Sequence, residues 1–371
     1  MTASPVNEIA FALHPSPHPV PDAERERLLA APAFGQVFTD HMVTLRWADG
    51  QGWHDGQLEP YGPLTLDPAT AVLHYSQDIF EGLKAYRHPG GPIVAFRPQA
   101  NAARFRASAV RMAMPELPDE TFLRAIELLV TQDCDWVPAG EGQSLYLRPF
   151  MIATHPGLGV NQPSPTYLFA VIASPAGPYF TGGVKPVSVW LAEGYTRAAP
   201  GGTGAAKTGG NYAASFAGQL QALDHGCDQV VWLDAVEHRW VEEMGGMNLF
   251  FVYGSGAAAR IMTPALTGSL LPGITRDSLL TLAPDLGIPV SQDKISVAQW
   301  QQGCESGEIT EVFACGTAAV ITPVGAVKGS GGGWLVGDGG AGPVTMRLRE
   351  QLVGIQFGQL PDPHGWIHKI L

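Results

Sequence analysis

Lysine is scarce in this sequence, with six in 371 residues, and cysteine is scarcer, with four. Cys134, Cys227, Cys304 and Cys315 lie far apart and form no C-x-x-C pair, which excludes a disulfide framework and argues for reduced, mostly buried thiols. The eleven histidines are scattered, and "HPSPHP" (His14 to Pro19) reads as an extended arm, so no metal is expected. Positive charge is also short. A net charge of −12 argues against a nucleic-acid or anionic-membrane partner. No basic segment followed by an apolar run opens the chain. The longest apolar stretch, "YLFAVIASPAGPYF", is broken by Pro175 and Pro178, well short of the roughly 20 residues a membrane span needs. A cytoplasmic location is therefore expected. Repeats at solenoid spacing are absent too.

What is present is apolar material: 45% of residues are hydrophobic and only 15% charged, enough for a large core. The length suits two domains on a prior of about 150 residues each. Strand composition marks "FTDHMVTLRW", "IVAF", "LYLRPFMIA" and "TYLFAVIA" in the first half. Two helices follow from apolar spacing: one opening at Pro98, the other at "DETFLRAIELLVTQDCDWV" with Asp119 as N-cap. Turn-forming residues crowd into "SPAGPYFTGG", which sets the expected boundary: a small domain over 1–181, its arm over about 1–33, a connection over 182–193 and a large domain over 194–371. The second half alternates strands ("VSVWLA", "QVVWL", "RWVEE", "MNLFFVY", "EVFAC") with helices: "YAASFAGQLQALDHG" closed by Gly226, one from about Ile274, and a last one closed by Gly358. The class is mixed α/β.

One lysine stands in unusual company, "PGGTGAAKTGGNY" (Pro200 to Tyr212). Gly201, Lys207 and Thr208 fit the phosphate-binding pattern G-x-x-x-x-G-K-[ST], and "VVWLD" could end in the Asp234 that holds Mg²⁺. Against this, the position before the lysine is Ala206, where close wrapping of backbone around phosphate calls for glycine. The competing reading is a lysine that forms a Schiff base with a phosphate-bearing cofactor. Such an amine must be partly buried to be neutral and nucleophilic. Lys207 alone among the six has small residues on both sides, leaving room for a flat ring.

The ordered segments "GGTGAAKTGGNY", "EEMGGMNLFF", "LLPGITRDSLL" and "EVFACGTAAVITPV" resemble the branched-chain amino acid aminotransferases, within fold-type IV of the pyridoxal 5′-phosphate (PLP) enzymes. "FGQVFTDHM", "LHYSQDIFEGLKAYR", "FRPQANAARF" and "SLYLRPFMIATHPGLGV" are similar to that family's N-terminal part, so the resemblance runs from about Phe34 to the end. It implies a small N-terminal α/β domain, a larger C-terminal pseudo-barrel domain and a homodimer.

It also implies roles. Lys207 would form the Schiff base and then move the proton between the substrate α-carbon and the cofactor. Glu243, five residues before Asn248, would face the pyridine nitrogen and keep it protonated. Glu242 faces the other side of its strand and reads as solvated. Tyr212 would bond the phenolic oxygen. The phosphate would rest on backbone N–H groups of Ile274 and Thr275 at a helix start, with Arg104 and Thr317. Thr317 and Ala318, with Tyr75, would hold the substrate α-carboxylate. Phe34, Phe80, Tyr146, Val160 and Tyr179 would line the side-chain pocket, and Arg148 would meet the second carboxylate of glutamate or 2-oxoglutarate. Two departures stand out. Ala319 and Thr322 replace a C-x-x-C pair found in some members, and Gly246 replaces a threonine. The implied reaction is transamination of L-leucine, L-isoleucine and L-valine with 2-oxoglutarate. The alternatives are a D-amino-acid aminotransferase or aminodeoxychorismate lyase on the same fold, or a P-loop-like nucleotide-binding protein.

Overall fold

The computed structural model describes residues 9–180 and 182–371; the first eight residues of the expected arm, and Thr181 at the expected boundary, lie outside the described residues. The chain divides into two compact units, one running to Pro178 and joined by Phe357–Leu371, the other spanning Tyr179–Gln356.

The first unit is a mixed sheet covered by helices. Its strands are β1 (Phe11–Leu13), β2 (His41–Ala48), β3 (Gly52–Pro60), β4 (Asp78–Phe80), β5 (Leu83–Arg87), β6 (Ile93–Phe96), β7 (Ser144–Ala153) and β8 (Thr166–Ala176). They lie in the order β1-β3-β2-β8-β7-β5-β6, with β4 also on β7. The C-terminal segment Ile367–Lys369 returns to pair with β6. Helices α1 (Asp22–Ala30), α2 (Ala71–Tyr75), α3 (Pro98–Arg111) and α4 (Asp119–Gln132) complete it. Pro98 opens α3, where a missing N–H costs nothing, and Ala102, Phe105 and Ala109 recur on its buried face. α4 buries Phe122, Ala125, Ile126, Leu129 and Val130. Phe105 meets Phe122 and Phe169 of β8 at 5.4 and 5.6 Å between centroids, and each such fully buried ring contributes about 1.5–3 kcal/mol. Pro118, not Asp119, occupies the cap position of α4. Asp119 sits one place on and pairs with Arg106 of α3 at 3.1 Å.

The second unit is built around a ring of strands. They are β9 (Val187–Ala192), β10 (Gln229–Leu233), β11 (Val241–Met244), β12 (Met247–Tyr253), β13 (Arg260–Pro264), β14 (Val290–Asp293), β15 (Ile309–Gly316), β16 (Val320–Gly329) and β17 (Gly332–Leu335). The order β11-β10-β9-β16-β15-β12 closes on itself because β11 also pairs with β12, which makes a pseudo-barrel. Alternate residues, among them Val189, Leu191, Val231, Leu233, Leu249, Phe251, Val312 and Ala314, form one core cluster. Helices α5 (Gly209–Ala213), α6 (Phe216–Asp224), α7 (Ile274–Asp285), α8 (Val297–Ser306) and α9 (Pro343–Gln356) surround it. The helix expected from Tyr212 to Gly226 is two pieces, because the Ser215 hydroxyl bonds the Tyr212 carbonyl at 2.6 Å and competes with the helical ladder.

Candidate active site

Strand register gathers most of the second unit's functional side chains at one end of the barrel. Glu243 on β11 lies opposite Asn248 on β12, and Asn248 lies opposite Cys315 on β15, next to the turn that carries Thr317 and Ala318. Asn248 Nδ2 donates to the Leu271 carbonyl at 3.1 Å, which ties the approach to α7 to the same end.

Glu243 is 2% exposed. Its Oε2 accepts from Arg197 Nη2 at 2.9 Å and its Oε1 from the Leu271 N–H at 2.5 Å. Burial pushes the carboxyl up to about 7, against the opposing pull of Arg197, the Leu271 N–H and the Lys207 charge. The Lys207 loop is clipped from within. Asn211 Nδ2 donates to the Thr203 and Ala206 carbonyls at 2.8 and 2.9 Å, and Thr203 Oγ1 donates to Asn211 Oδ1 at 2.7 Å. Lys207 Nζ, half-buried, reaches Tyr212 Oη at 2.6 Å. Gly246 lies beside this tyrosine; a Cβ there would touch the ring at 3.4 Å.

At the start of α7, Gly273 takes the cap position with extended backbone and offers no side-chain cap. The N–H groups of Ile274 and Thr275 therefore point out of a helix N-terminus, which favours an anion. The donor set fits PLP: an amine beside a phenol, a buried carboxylate, and an uncapped helix start in one unit.

The remaining predicted residues fall into separate groups. In the first unit, Phe34, Phe80, Tyr146 and Arg148 come together. Arg148 lies over the Phe80 and Tyr146 rings at 4.8 and 5.4 Å, and its Nη2 donates to Tyr146 Oη at 3.1 Å. Phe34, 51% exposed, meets Tyr146 edge-on at 4.8 Å. Tyr75 and Val160 are elsewhere in that unit, on a cavity of about 750 Å³ whose wall includes none of those four. Tyr75 Oη donates to the Leu158 carbonyl, and Val160 is 71% exposed. Arg104 is buried, with Nε and Nη2 donating to both oxygens of the fully buried Glu81 at 2.7 and 2.8 Å. Tyr179 is exposed at the start of the second unit, edge-on to Phe180.

The class IV amino-transferase family model matches residues 78–327. The chain belongs to the class IV aminotransferases. This aminotransferase is 62% identical over 359 residues to a probable branched-chain-amino-acid aminotransferase of Streptomyces coelicolor, covering 96% of this chain and 98% of the relative. It is 60% identical over 363 residues to the branched-chain-amino-acid aminotransferase of Mycolicibacterium smegmatis, covering 98% of each. Among solved structures, it is similar to the branched-chain amino acid aminotransferase of Escherichia coli, with TM-score 0.69, 30% identity, and coverage of 88% of this chain and 99% of that one. It is similar as well to the T.th. branched-chain amino acid aminotransferase with pyridoxamine 5′-phosphate, with TM-score 0.71, 29% identity, and coverage of 88% and 98%.

Two sequence readings of the aminotransferase need correction. Asp234 does not face a metal: its carboxylate accepts the backbone N–H groups of Val236, Glu237, Arg239 and Trp240 at 2.7–3.1 Å. Burial works against that charge, but the four N–H groups more than offset it and hold the carboxyl down at about 2. The Mg²⁺ role required by the nucleotide-binding reading is thus taken up by a turn. Glu242 is not solvated; it is 8% exposed and accepts from Ser269 Oγ. Three residues of the aminotransferase's site carried no local signal: Arg197, Asn211 and Ser269. Arg197 lies ten residues before Lys207 and would have required knowing that Glu243 needs a cation within the protein. Cys315 is fully buried in apolar surroundings, which push its thiol well above the ordinary range, so it is inert.

Proposed function

We propose that the protein is a PLP-dependent branched-chain aminotransferase that exchanges the amino group of L-leucine, L-isoleucine or L-valine with 2-oxoglutarate. The observation that carries this reading is the juxtaposition of the Lys207–Tyr212 pair with the buried Glu243–Arg197 pair at one end of the barrel. The similarity to branched-chain aminotransferases over nearly the whole chain supports the substrate class.

When bound, PLP supplies the carbonyl that exchanges for the amino group and the ring that takes up electrons. The rest falls to the chain. Lys207 Nζ, steered by Tyr212 Oη, is the base that takes the substrate α-proton and returns it. Glu243 presents a carboxylate to the ring nitrogen. Arg197 favours its ionised form, and a protonated nitrogen adds a second positive partner that lowers its proton affinity further. The N–H groups of Ile274 and Thr275 hold the phosphate, with the Thr317 hydroxyl. Within the first unit, Glu81 fixes the plane of the Arg104 guanidinium, an arginine suited to an anion. Thr317 and Ala318 hold the α-carboxylate. In the first unit Phe34, Phe80 and Tyr146 give the apolar wall, and Arg148 beside them meets the second carboxylate of glutamate.

The protein acts as a homodimer in the cytoplasm. Leu73, Tyr75, Leu158 and Val160 are large, exposed apolar side chains, the kind of surface a second copy covers. Among the described residues, no helix is long and apolar enough to cross a membrane. Initial rates with a panel of amino donors and 2-oxoglutarate test the reading. L-Leucine, L-isoleucine and L-valine should be the best donors. Turnover of D-alanine in their place would favour the D-amino-acid enzyme, and pyruvate release from aminodeoxychorismate would favour the lyase.

A further inference from the structure

Glu242 and Glu243 are consecutive on β11 and face opposite ways, yet both hold one loop, residues 267–271. Glu243 Oε1 takes the Leu271 N–H. Glu242 Oε1 takes the hydroxyl of Ser269, which is also bonded to Thr267 Oγ1 at 2.8 Å. The Ser269 carbonyl accepts from Arg197 Nη2 at 3.1 Å, the same nitrogen that pairs with Glu243. Ser269 further lies against the Lys207 loop: a Cβ on Gly204 would run into its carbonyl, and the Gly204 carbonyl accepts from Arg197 as well, at 3.4 Å. One serine thus touches the outer glutamate, the arginine and the loop that presents the lysine.

The outer glutamate opens on a cavity of about 240 Å³. Its wall includes Asp234, Glu237, Trp240, Thr267, Asp293 and Lys294. The charged groups acting on Glu242 are Arg197, which favours its ionised form, and Asp234, which opposes it, while Glu243 is its neighbour on the strand. Burial raises the Glu242 carboxyl above the ordinary range, and the Ser269 hydroxyl and Arg197 pull it back. Glu242 is thus a largely desolvated carboxylate with a route to water and a bond into the scaffold.

We propose that Glu242 is a positioning residue for the Glu243–Arg197 pair, acting through Ser269, and that its ionisation, reached from the 240 Å³ cavity, sets how that pair shares its charge. The inference rests on the proposed role of Glu243 at the ring nitrogen. With Glu242 ionised, two carboxylates compete for Arg197. With its charge removed, Arg197 serves Glu243 alone, and Glu243 stays ionised to lower pH.

The test uses holoenzyme and four variants: Glu242→Gln, Glu242→Asp, Ser269→Ala and Glu243→Gln. Two quantities are followed against pH: kcat, and the midpoint of the cofactor's visible absorption change. Glu242→Gln should lower kcat by about tenfold with little change in KM. It should also move both the acid limb and the absorption midpoint to lower pH by about one unit. Ser269→Ala, which cuts the link and leaves the Glu242 carboxyl readier to take a proton, should lower kcat and move the midpoint in the same direction by less. Glu242→Asp should restore the midpoint in part. A uniform loss of kcat in Glu242→Gln with an unmoved midpoint, or a change in melting temperature alone, would overturn the proposal. If Glu242→Gln does not fold, Ser269→Ala with undiminished kcat overturns it equally. Glu243→Gln separates the two failures. Its collapse beside an unaffected Glu242→Gln sinks only this inference, whereas normal turnover in Glu243→Gln sinks the functional reading beneath it.

Discussion

Arg197 in the barrel and Arg148 in the first unit's sheet show two ways of using a guanidinium. Arg197 is buried and committed within the chain: one nitrogen serves Glu243, the Gly204 carbonyl and the Ser269 carbonyl. Arg148 lies against two aromatic faces and a tyrosine hydroxyl, its Nε is buried without a hydrogen-bond partner, and no carboxylate of the described residues pairs with it. The first arrangement fixes a geometry before any ligand arrives. The second leaves a desolvated positive charge for a ligand to satisfy, because an unmet buried donor is costly. Under the proposed function, the barrel end would serve chemistry that does not change between substrates. The aromatic cluster would serve a pocket that accepts an apolar side chain in one half-reaction and a carboxylate in the other.

The comparison breaks most visibly at Lys207. Lys207→Ala should abolish turnover while the protein still retains cofactor weakly, as followed by absorption and single-turnover assays; appreciable steady-state activity would remove the barrel end from the chemistry. Glu243→Gln keeps the shape and loses the charge, so kcat should fall about 10²- to 10⁴-fold, with a much smaller loss of cofactor affinity. The same carboxyl has a readout without cofactor. Its proton affinity is raised from 4.5 to about 7 in the folded state, so between those pH values the folded state holds a proton that the unfolded state has released. Stability of the cofactor-free protein should fall as pH rises through that window, by up to about 3 kcal/mol. Chemical denaturation of wild type and Glu243→Gln at each pH should show the slope in the first and its loss in the second.

On the other side of the comparison the effects are smaller and selective. Arg148→Met should slow the half-reaction with glutamate or 2-oxoglutarate about 10- to 100-fold and spare the one with leucine. Single-turnover kinetics with each substrate separately measures this, and equal losses would assign Arg148 to the shared α-carboxylate or to the fold. Smallest of all is the spread among leucine, isoleucine and valine. One methylene against such a wall is worth only about 1–3 kcal/mol, so kcat/KM values should lie within that range.

What could be read from the sequence follows the range of each interaction. Helices α3, α4, α7 and α9 were legible because apolar spacing and helix-opening residues such as Pro98 are local signals. Lys207 and Glu243 stand out through short motifs whose neighbours, Tyr212 and Asn248, lie beside them in the fold. Arg197 and Ser269 were not: they touch across 72 residues, through a backbone carbonyl that leaves no trace in residue type. Glu242 was misread for a related reason. Strand alternation places adjacent side chains on opposite faces, but it does not say that a loop covers the outer one. Tyr75 and Val160, which the resemblance groups with Phe80 and Arg148, line a separate cavity within the first unit, a placement that no local pattern foretells.

The central claim is that Lys207 is the amine that bonds the cofactor. Borohydride reduction of the holoenzyme followed by peptide mapping tests it most directly. The pyridoxyl label should fall on the peptide carrying Lys207; label on Lys84, Lys185, Lys294, Lys328 or Lys369 instead would contradict the account.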